Sequence, residues 1–178
     1  MVIIKYISDL DYGISKVIKI LVTGGTIDKQ YNPLNGELIF TQSSVEKMLV
    51  QSRSTVKAEL EELMLKDSLE MQDDDRELLS QSCNKSKETK IVITHGTDTM
   101  VESAQAIADK LTPDKTVVLL GAMVPYQFKQ SDALFNLGCA MSSVQILPPG
   151  VYITMNGQVF DYREVVKNRA IGEFVQRV

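Results

Sequence analysis

The chain has 178 residues, of which 44% are hydrophobic and 24% are charged, and its formal net charge is -4 at pH 7. This length and composition predict a single soluble domain with a buried core. The acidic balance gives no electrostatic reason to expect a nucleic-acid partner. Two cysteines, Cys83 and Cys139, are too few for a disulfide framework, so we expect a reducing compartment, the cytoplasm.

The first fifteen residues precede the first predicted strand. Asp9 and Asp11 interrupt the apolar residues at this end, which argues against a secretory signal peptide. We therefore expect residues 1–15 to form an extension, either a docking strand or a tail, ahead of an α/β domain at residues 16–178. No run approaches the ~20 apolar residues that a membrane-spanning helix needs, so no membrane partner is expected.

Strand and helix patterns alternate along the chain. Residues 17–22 form a run that is apolar apart from Lys19 and predicts a buried strand, followed by a polar loop to residue 41. Ser43 and Glu46 have the spacing of a capping box, which predicts the start of a helix. Residues 55–64 predict a second strand, with a helix as the alternative.

The pattern continues to the end of the chain. Three consecutive aspartates favour the start of a helix running from residue 73 to about 86, because negative charge stabilises a helix amino terminus. Further strands are predicted at 90–94, 116–120 and 151–155, and further helices at 98–110 and 132–144. The Asn156-Gly157 pair predicts a hairpin from the last strand to residues 158–160.

This alternation predicts the α/β class: a three-layer, doubly wound, mostly parallel sheet, flavodoxin-like or Rossmann-like, in a single domain. Ligands of such sheets bind beyond the carboxyl ends of the strands, where the strand order reverses. Thr26 follows the first strand, and Thr97 and Asp98 follow the third. In a flavodoxin-like order these two loops meet over one cleft.

Each of these polar residues has a structural and a chemical interpretation. The Thr26 hydroxyl, after the flexible Gly24-Gly25 pair, is either a local turn partner or a nucleophile activated by a base. Thr97 and Asp98 either cap a helix or bind a substrate at its amino terminus. Lys167 is either a surface lysine or, if partly buried beside a threonine, a base.

Other chemistries are less well supported by the sequence. His95 is the only histidine and abuts Gly96, so a role in backbone hydrogen bonding is favoured over a catalytic triad. One histidine and two scattered cysteines do not predict a metal site. The glycine spacing after the first strand matches neither a dinucleotide fingerprint nor a P-loop, so catalysis by a hydroxyl group is favoured over nucleotide binding.

Five segments in order resemble the bacterial-type L-asparaginase family, which includes glutaminase-asparaginases. They are T-G-G-T-I at 23–27, I-T-H-G-T-D-T-M at 93–100, G-A-M at 121–123, S-D-A-L-F-N at 131–136 and M-N-G-x-x-x-D-x-R-x-V-x-K at 155–167. The resemblance implies acyl transfer without a cofactor, in which side-chain amide hydrolysis of L-asparagine, or of L-glutamine, yields ammonia. Backbone N–H groups near Gly96 and Thr97 would stabilise the oxyanion, at roughly 3–4 kcal/mol per donor.

The same resemblance implies residue roles. Thr26 would be the nucleophile, Lys167 would help to deprotonate Thr97, and Asp98 would contact the substrate amino group. Tyr31 would be the tyrosine of the loop after the nucleophile, although its spacing is shorter than in long-chain members. The implied substrate-binding residues are Gly25, Ser68, Gly96, Thr97, Asp98, Ala122 and Met123.

Two departures from the family pattern leave alternatives open. Leu69 follows Ser68 where long-chain members often carry glutamine, and the chain resembles short forms that consist of the amino-terminal domain alone. Either a partner subunit of the same chain, in a dimer or tetramer, completes the pocket, or activity is weak. The other functions considered are a non-catalytic asparagine- or aspartate-binding domain and an amidase subunit acting on a larger substrate, as in tRNA-dependent amidotransferases.

Overall fold

The computed structural model describes residues 17–177, so the predicted extension at 1–15 lies outside the described residues. The main sheet has six strands: β1 (Val17–Gly24), β4 (Lys57–Lys66), β5 (Lys90–Thr94), β6 (Thr116–Leu120), β7 (Gly150–Met155) and β8 (Gln158–Asp161). Their order across the sheet is β4-β1-β5-β6-β7-β8. The first five are parallel and β8 is antiparallel to β7.

Helices cover both faces of the sheet. They are α1 (Val45–Gln51), α2 (Asp73–Lys85), α3 (Met100–Ala108) and α4 (Ala133–Ile146). Helices α2 and α3 pack on one face and α1 and α4 on the other, each pair sharing a buried apolar cluster with the strands. The predicted three-layer, doubly wound α/β fold is therefore confirmed, and the order of the parallel strands is flavodoxin-like.

The central strands are buried on both faces, which explains their continuous apolar runs. Along β5, Ile91 and Ile93 pack against α2 and α3, whereas Val92 faces the α1 and α4 side. Successive strand residues point to opposite faces, so a strand covered by helices on both sides needs apolar residues at every position.

Small elements complete the described fold. Ribbon β2 (Gln30–Tyr31) with β3 (Leu38–Ile39) follows the β1 loop, and ribbon β9 (Val165–Asn168) with β10 (Glu173–Gln176) follows β8. The β7–β8 hairpin turns across Asn156-Gly157 as predicted, with φ of 54° and 80° at the two positions. Positive φ at both central residues is the requirement of the tight hairpin turn that Asn-Gly favours.

Two sequence predictions about this part of the fold are resolved. Residues 57–66 form strand β4 rather than the alternative helix. The predicted capping box at Ser43 and Glu46 is wrong, since helix α1 begins one residue later with Ser44 as its N-cap. The N–H of Ser44 donates instead to the carboxylate of Asp28, 16 residues earlier in the chain, at 2.7 Å.

No helix within residues 17–177 is long and apolar enough to cross a membrane.

Candidate active site

The loops after β1 and β5 meet at the switch point of the sheet. A methyl group at Gly25 would lie 2.4 Å from the backbone nitrogen of Gly96, and one at Gly96 would lie 2.6 Å from Ser68 Oγ. Gly24 and Gly25 have φ of 90° and 80°, a region that side-chain-bearing residues rarely adopt. Glycine is thus required here because a second backbone, and not only a ligand, approaches closely.

The close approach predicts that an alanine substitution lowers the unfolding free energy much more at Gly25 than at Gly36, although the two glycines have similar φ angles. Gly25→Ala introduces both backbone strain and a clash with Gly96, whereas Gly36→Ala (φ 77°) adds a methyl group with nothing within 4 Å. We expect Gly36→Ala to cost about 1 kcal/mol of unfolding free energy and Gly25→Ala roughly 2–3 kcal/mol more. Urea unfolding of both variants measures the difference, and equal costs would contradict the close packing of the two loops.

Thr26 lies in a 3₁₀ turn, Thr26–Asp28, directly after the glycine pair. The turn is held upstream by a hydrogen bond from Gly25 N to the Lys66 carbonyl at 2.9 Å. Ile27 is fully buried, whereas Thr26 is partly exposed. Within residues 17–177 the Thr26 hydroxyl makes no hydrogen bond. The hydroxyl is therefore not the local turn partner that the structural interpretation of this threonine requires.

Lys167, Thr97 and Asp98 form a hydrogen-bonded group. Lys167 Nζ donates to Thr97 Oγ1 at 2.8 Å and to Asp98 Oδ1 at 2.9 Å. The lysine side chain is only 12% exposed, and Arg169 Nε lies 3.6 Å from the same Asp98 oxygen. The structural interpretation of Lys167 as a surface lysine is therefore excluded.

The β9–β10 ribbon positions Lys167. Lys167 pairs with Phe174, which is 1% exposed and belongs to the buried cluster on the α2 and α3 side of the sheet. Because side chains alternate along a strand, the neighbouring Val166 points away and is 41% exposed. The buried phenylalanine thus fixes the ribbon that aims the lysine at Thr97.

Thr97 and Asp98 do not begin helix α3 as predicted. The helix starts at Met100 with Thr99 as N-cap, so both residues lie in the turn between β5 and α3. The buried Ser68 accounts for this difference, because its hydroxyl accepts from Asp98 N at 3.2 Å and its carbonyl accepts from Thr99 Oγ1 at 2.7 Å. These tertiary bonds use groups that would otherwise have capped the helix.

The loop after β6 lies next to Thr97, since a methyl group at Gly121 would lie 3.0 Å from Thr97 Cγ2. Ala122 is fully buried, and Met123 N donates to both carboxylate oxygens of Asp132 at 3.0 Å. Asp132 also accepts from Val124 N and from the buried Asn136. Asp132 was given no role in the sequence analysis. It is the N-cap residue of α4, but its side chain makes no cap hydrogen bond and its carboxylate organises the loop at 122–124.

Tyr31 lies on β2 and is 53% exposed. Its backbone N–H donates to Gln127 Oε1 at 3.0 Å, and its hydroxyl makes no hydrogen bond within the described residues. The structure thus places Tyr31 in the loop that follows Thr26 but does not join its hydroxyl to the Lys167 group.

His95 has a structural role. It is completely buried, its Nδ1 lies 2.7 Å from the Gly96 carbonyl, and its Nε2 lies 2.8 Å from Ser103 Oγ. Burial lowers its pKa to about 4, so the imidazole is neutral near pH 7. A carbonyl can only accept, so Nδ1 carries the proton and Nε2 accepts from the serine hydroxyl.

The pKa values of two carboxylates near the Thr26 turn are shifted in opposite directions. The hydrogen bond from Lys29 holds the pKa of Asp67 below its usual range, despite partial burial. Burial raises the pKa of Asp28 to about 6 against the opposing hydrogen bonds from Ser44 and Ser43.

No group of three histidine, cysteine or acidic side chains suited to a metal ion occurs in the part of the chain that the structure describes.

Most of the chain matches one known family. Residues 17–172 match the family model described as the amino-terminal asparaginase domain. The chain belongs to the asparaginase family. It is 31% identical over 159 residues to the probable periplasmic L-asparaginase of Haemophilus influenzae, covering 84% of this chain and 46% of that protein.

Two further proteins are similar to this chain. The crystal structure of the probable cytoplasmic L-asparaginase from Campylobacter jejuni superposes with a TM-score of 0.79 at 29% identity, covering 89% of this chain and 52% of that one. A glutamyl-tRNA(Gln) amidotransferase subunit from Methanococcus maripaludis is 37% identical over 71 residues, 40% of this chain and 17% of that protein. The chain thus spans about half the length of the asparaginases it matches.

Proposed function

We propose that this asparaginase-family domain hydrolyses the side-chain amide of L-asparagine to aspartate and ammonia, through an acyl-enzyme on Thr26. The observation that carries the proposal is the Lys167–Thr97–Asp98 group, with Lys167 Nζ within 2.9 Å of both partners. Thr97 and Asp98 of this group lie on the loop whose Gly96 packs against Gly25, the neighbour of Thr26. A threonine hydroxyl that makes no hydrogen bond within residues 17–177, on a loop packed against the loop that carries Thr97 and Asp98, suits amide hydrolysis.

The proposed reaction has two steps. Thr26 Oγ1 attacks the amide carbonyl carbon and loses its proton, and the C–N bond then breaks as the leaving amine takes up a proton and departs as ammonia. Water next attacks the resulting ester, releasing aspartate and restoring the hydroxyl. Each step passes through an oxyanion, for which the backbone N–H groups near Gly96 and Thr97 are the proposed donors.

Lys167 acts through charge and hydrogen bonding. Its donation to Thr97 Oγ1 stabilises negative charge on that oxygen, which makes the Thr97 hydroxyl a better proton donor and relay. Asp98 holds the ammonium in place and keeps its second oxygen for a substrate amino group. Its side chain is 31% exposed, so a ligand can reach it.

The test is ammonia release from L-asparagine and, separately, from L-glutamine by the purified chain. We expect turnover of asparagine, whereas the ratio between the two substrates depends on the pocket, since one methylene contributes about 1–3 kcal/mol of discrimination. Ammonia release from neither substrate, with a folded protein, would contradict the proposal. Calorimetry would then distinguish a non-catalytic asparagine- or aspartate-binding domain, which binds without turnover.

A second candidate is an amidase subunit acting on a larger substrate. The match to an amidotransferase subunit over 71 residues supports this second candidate. Such a subunit would release ammonia only with a partner protein present, so stimulation of turnover by a co-purifying subunit would select it.

We also propose an assembly and a compartment for this domain. A homo-oligomer, a dimer or tetramer, is proposed because the Asp98 side chain is 31% exposed at the cleft, where a neighbouring copy would supply a further wall. The cytoplasm is proposed because Cys83 and Cys139 are both free. Burial raises the pKa of the Cys83 thiol to about 12, which keeps it unreactive.

A further inference from the structure

Asp28 is a buried carboxylate two residues after Thr26, in the same 3₁₀ turn. Its side chain is 0% exposed. Oδ1 accepts from Ser44 N at 2.7 Å and from Ser43 Oγ at 3.2 Å. The turn that carries Thr26 is thereby joined to the start of helix α1.

The other carboxylate oxygen, Oδ2, is buried without a hydrogen-bond partner among the described residues. A buried carboxylate with one unsatisfied oxygen costs stability, since desolvation is not fully compensated. Asp28 is therefore a poor choice for a purely structural cap, a role that serine or asparagine performs without a buried charge.

The Thr26–Asp28 turn is held in place by hydrogen bonds to other segments of the chain. Gly25 N bonds to the Lys66 carbonyl on the upstream side, and the Ile27 carbonyl accepts from Tyr126 N at 3.3 Å. The Thr26 side chain has no hydrogen bond of its own within residues 17–177. The orientation of Thr26 therefore depends on the backbone of the turn, and among the three residues of the turn Asp28 makes the shortest hydrogen bond to another segment.

We propose that Asp28 is a positioning residue for Thr26, which in its ionised form holds the Thr26–Asp28 turn against the start of α1 in the reactive orientation. Hydrogen bonds to an ionised acceptor are shorter and roughly twice as strong as neutral ones, so protonation loosens this junction. The inference rests on the proposed function for its catalytic consequence.

The surroundings make the carboxylate sensitive to pH. Ser43 and Ser44, the neighbours from the α1 side, are uncharged, and Glu62 is the charged group facing it from β4. Burial and the Glu62 charge raise the pKa of Asp28 to about 6. The ionised form dominates at pH 8 and the protonated form at pH 5.

The experiment compares wild type, Asp28→Asn and a control, Asp161→Asn, between pH 5 and 8. Asparagine cannot ionise, so Asp28→Asn should behave as the protonated wild type at every pH. We expect its kcat to be about tenfold lower at pH 8 with KM within about twofold, because misorientation of a nucleophile lowers the chemical step. We also expect the wild-type fall in kcat below about pH 6 to become shallower. Asp161 likewise accepts a backbone N–H in a 3₁₀ turn, from Arg163, so Asp161→Asn should match wild type.

A second readout needs no turnover. The threonine methyl resonance of Thr26, assigned by its absence in Thr26→Ala, should shift with the same midpoint as the Asp28 carboxyl resonance in wild type. That shift should be absent in Asp28→Asn and retained in Asp161→Asn. A Thr26 resonance that does not follow Asp28, or an unchanged kcat profile in Asp28→Asn, would overturn the inference. If wild type releases no ammonia, the proposed function fails, and the wild-type methyl titration still decides whether Asp28 positions Thr26.

Discussion

Thr26→Ala is expected to lower ammonia release from L-asparagine by at least about 10³-fold while leaving the fold intact, because it removes the attacking oxygen. The hydroxyl makes no hydrogen bond within the described residues, and Thr26 is partly exposed, so its loss leaves no buried polar partner unsatisfied. Steady-state ammonia release gives the activity, and urea unfolding checks that stability changes by less than about 1 kcal/mol.

Two further threonine variants make this result interpretable. Thr26→Ser keeps a hydroxyl and should retain part of the activity. Thr112→Ala removes an exposed threonine between α3 and β6, and should match wild type. If Thr26→Ala kept more than a tenth of wild-type turnover, the nucleophile would have to be another group, with Thr97 the first to examine.

Lys167→Met is expected to lower kcat by roughly 10²–10³-fold, since it removes a preorganised charged donor from Thr97 Oγ1. Methionine has a similar length and apolar stem, so packing against the ribbon changes little. Asp98 keeps Arg169 at 3.6 Å as a neighbour, which limits the cost of leaving its carboxylate unpaired. The measurement is kcat and KM for L-asparagine, with Lys110→Met, an exposed surface variant, as control.

A double-mutant cycle separates relay chemistry from general charge effects. If Lys167 acts through Thr97, then Lys167→Met combined with Thr97→Val should be little worse than the more damaging single variant, as for residues that work as a unit. Losses that multiply across the two sites would contradict a shared role. Lys167→Arg should not restore full activity, because a planar guanidinium cannot replace a compact ammonium between two oxygens 2.8 and 2.9 Å away.

Much of the fold could be predicted from local pattern. The runs that became β5 and β6 are apolar at nearly every position, which only a strand covered on both faces requires. The Asn156-Gly157 turn was equally readable, because few residue pairs adopt positive φ at two successive positions. Residues 55–64 were ambiguous in sequence because their glutamates also suit a helix. The structure places residues 57–66 on edge strand β4, where residues 59–62 are all exposed.

Part of the candidate site was also accessible to sequence reasoning. Thr26 and Thr97 follow strands that a flavodoxin-like order places side by side, and the structure brings Gly25 against Gly96 at that point. By contrast, the local sequence around Lys167 indicated only a surface lysine, and its role came from the resemblance to a family. Its 2.8 Å bond to Thr97 joins residues 70 positions apart.

The sequence by itself determined the class of fold, the order of its elements and the two loops that carry Thr26 and Thr97, because periodicity and turn chemistry are local properties. Tertiary structure alone decided that Asp28 caps α1, that Ser68 moves the start of α3 to Met100, and that Lys167 is partly buried. Those outcomes depend on hydrogen bonds between distant segments. A buried N–H or carboxylate takes whichever partner the packed chain brings within about 3 Å, and no local pattern encodes that partner.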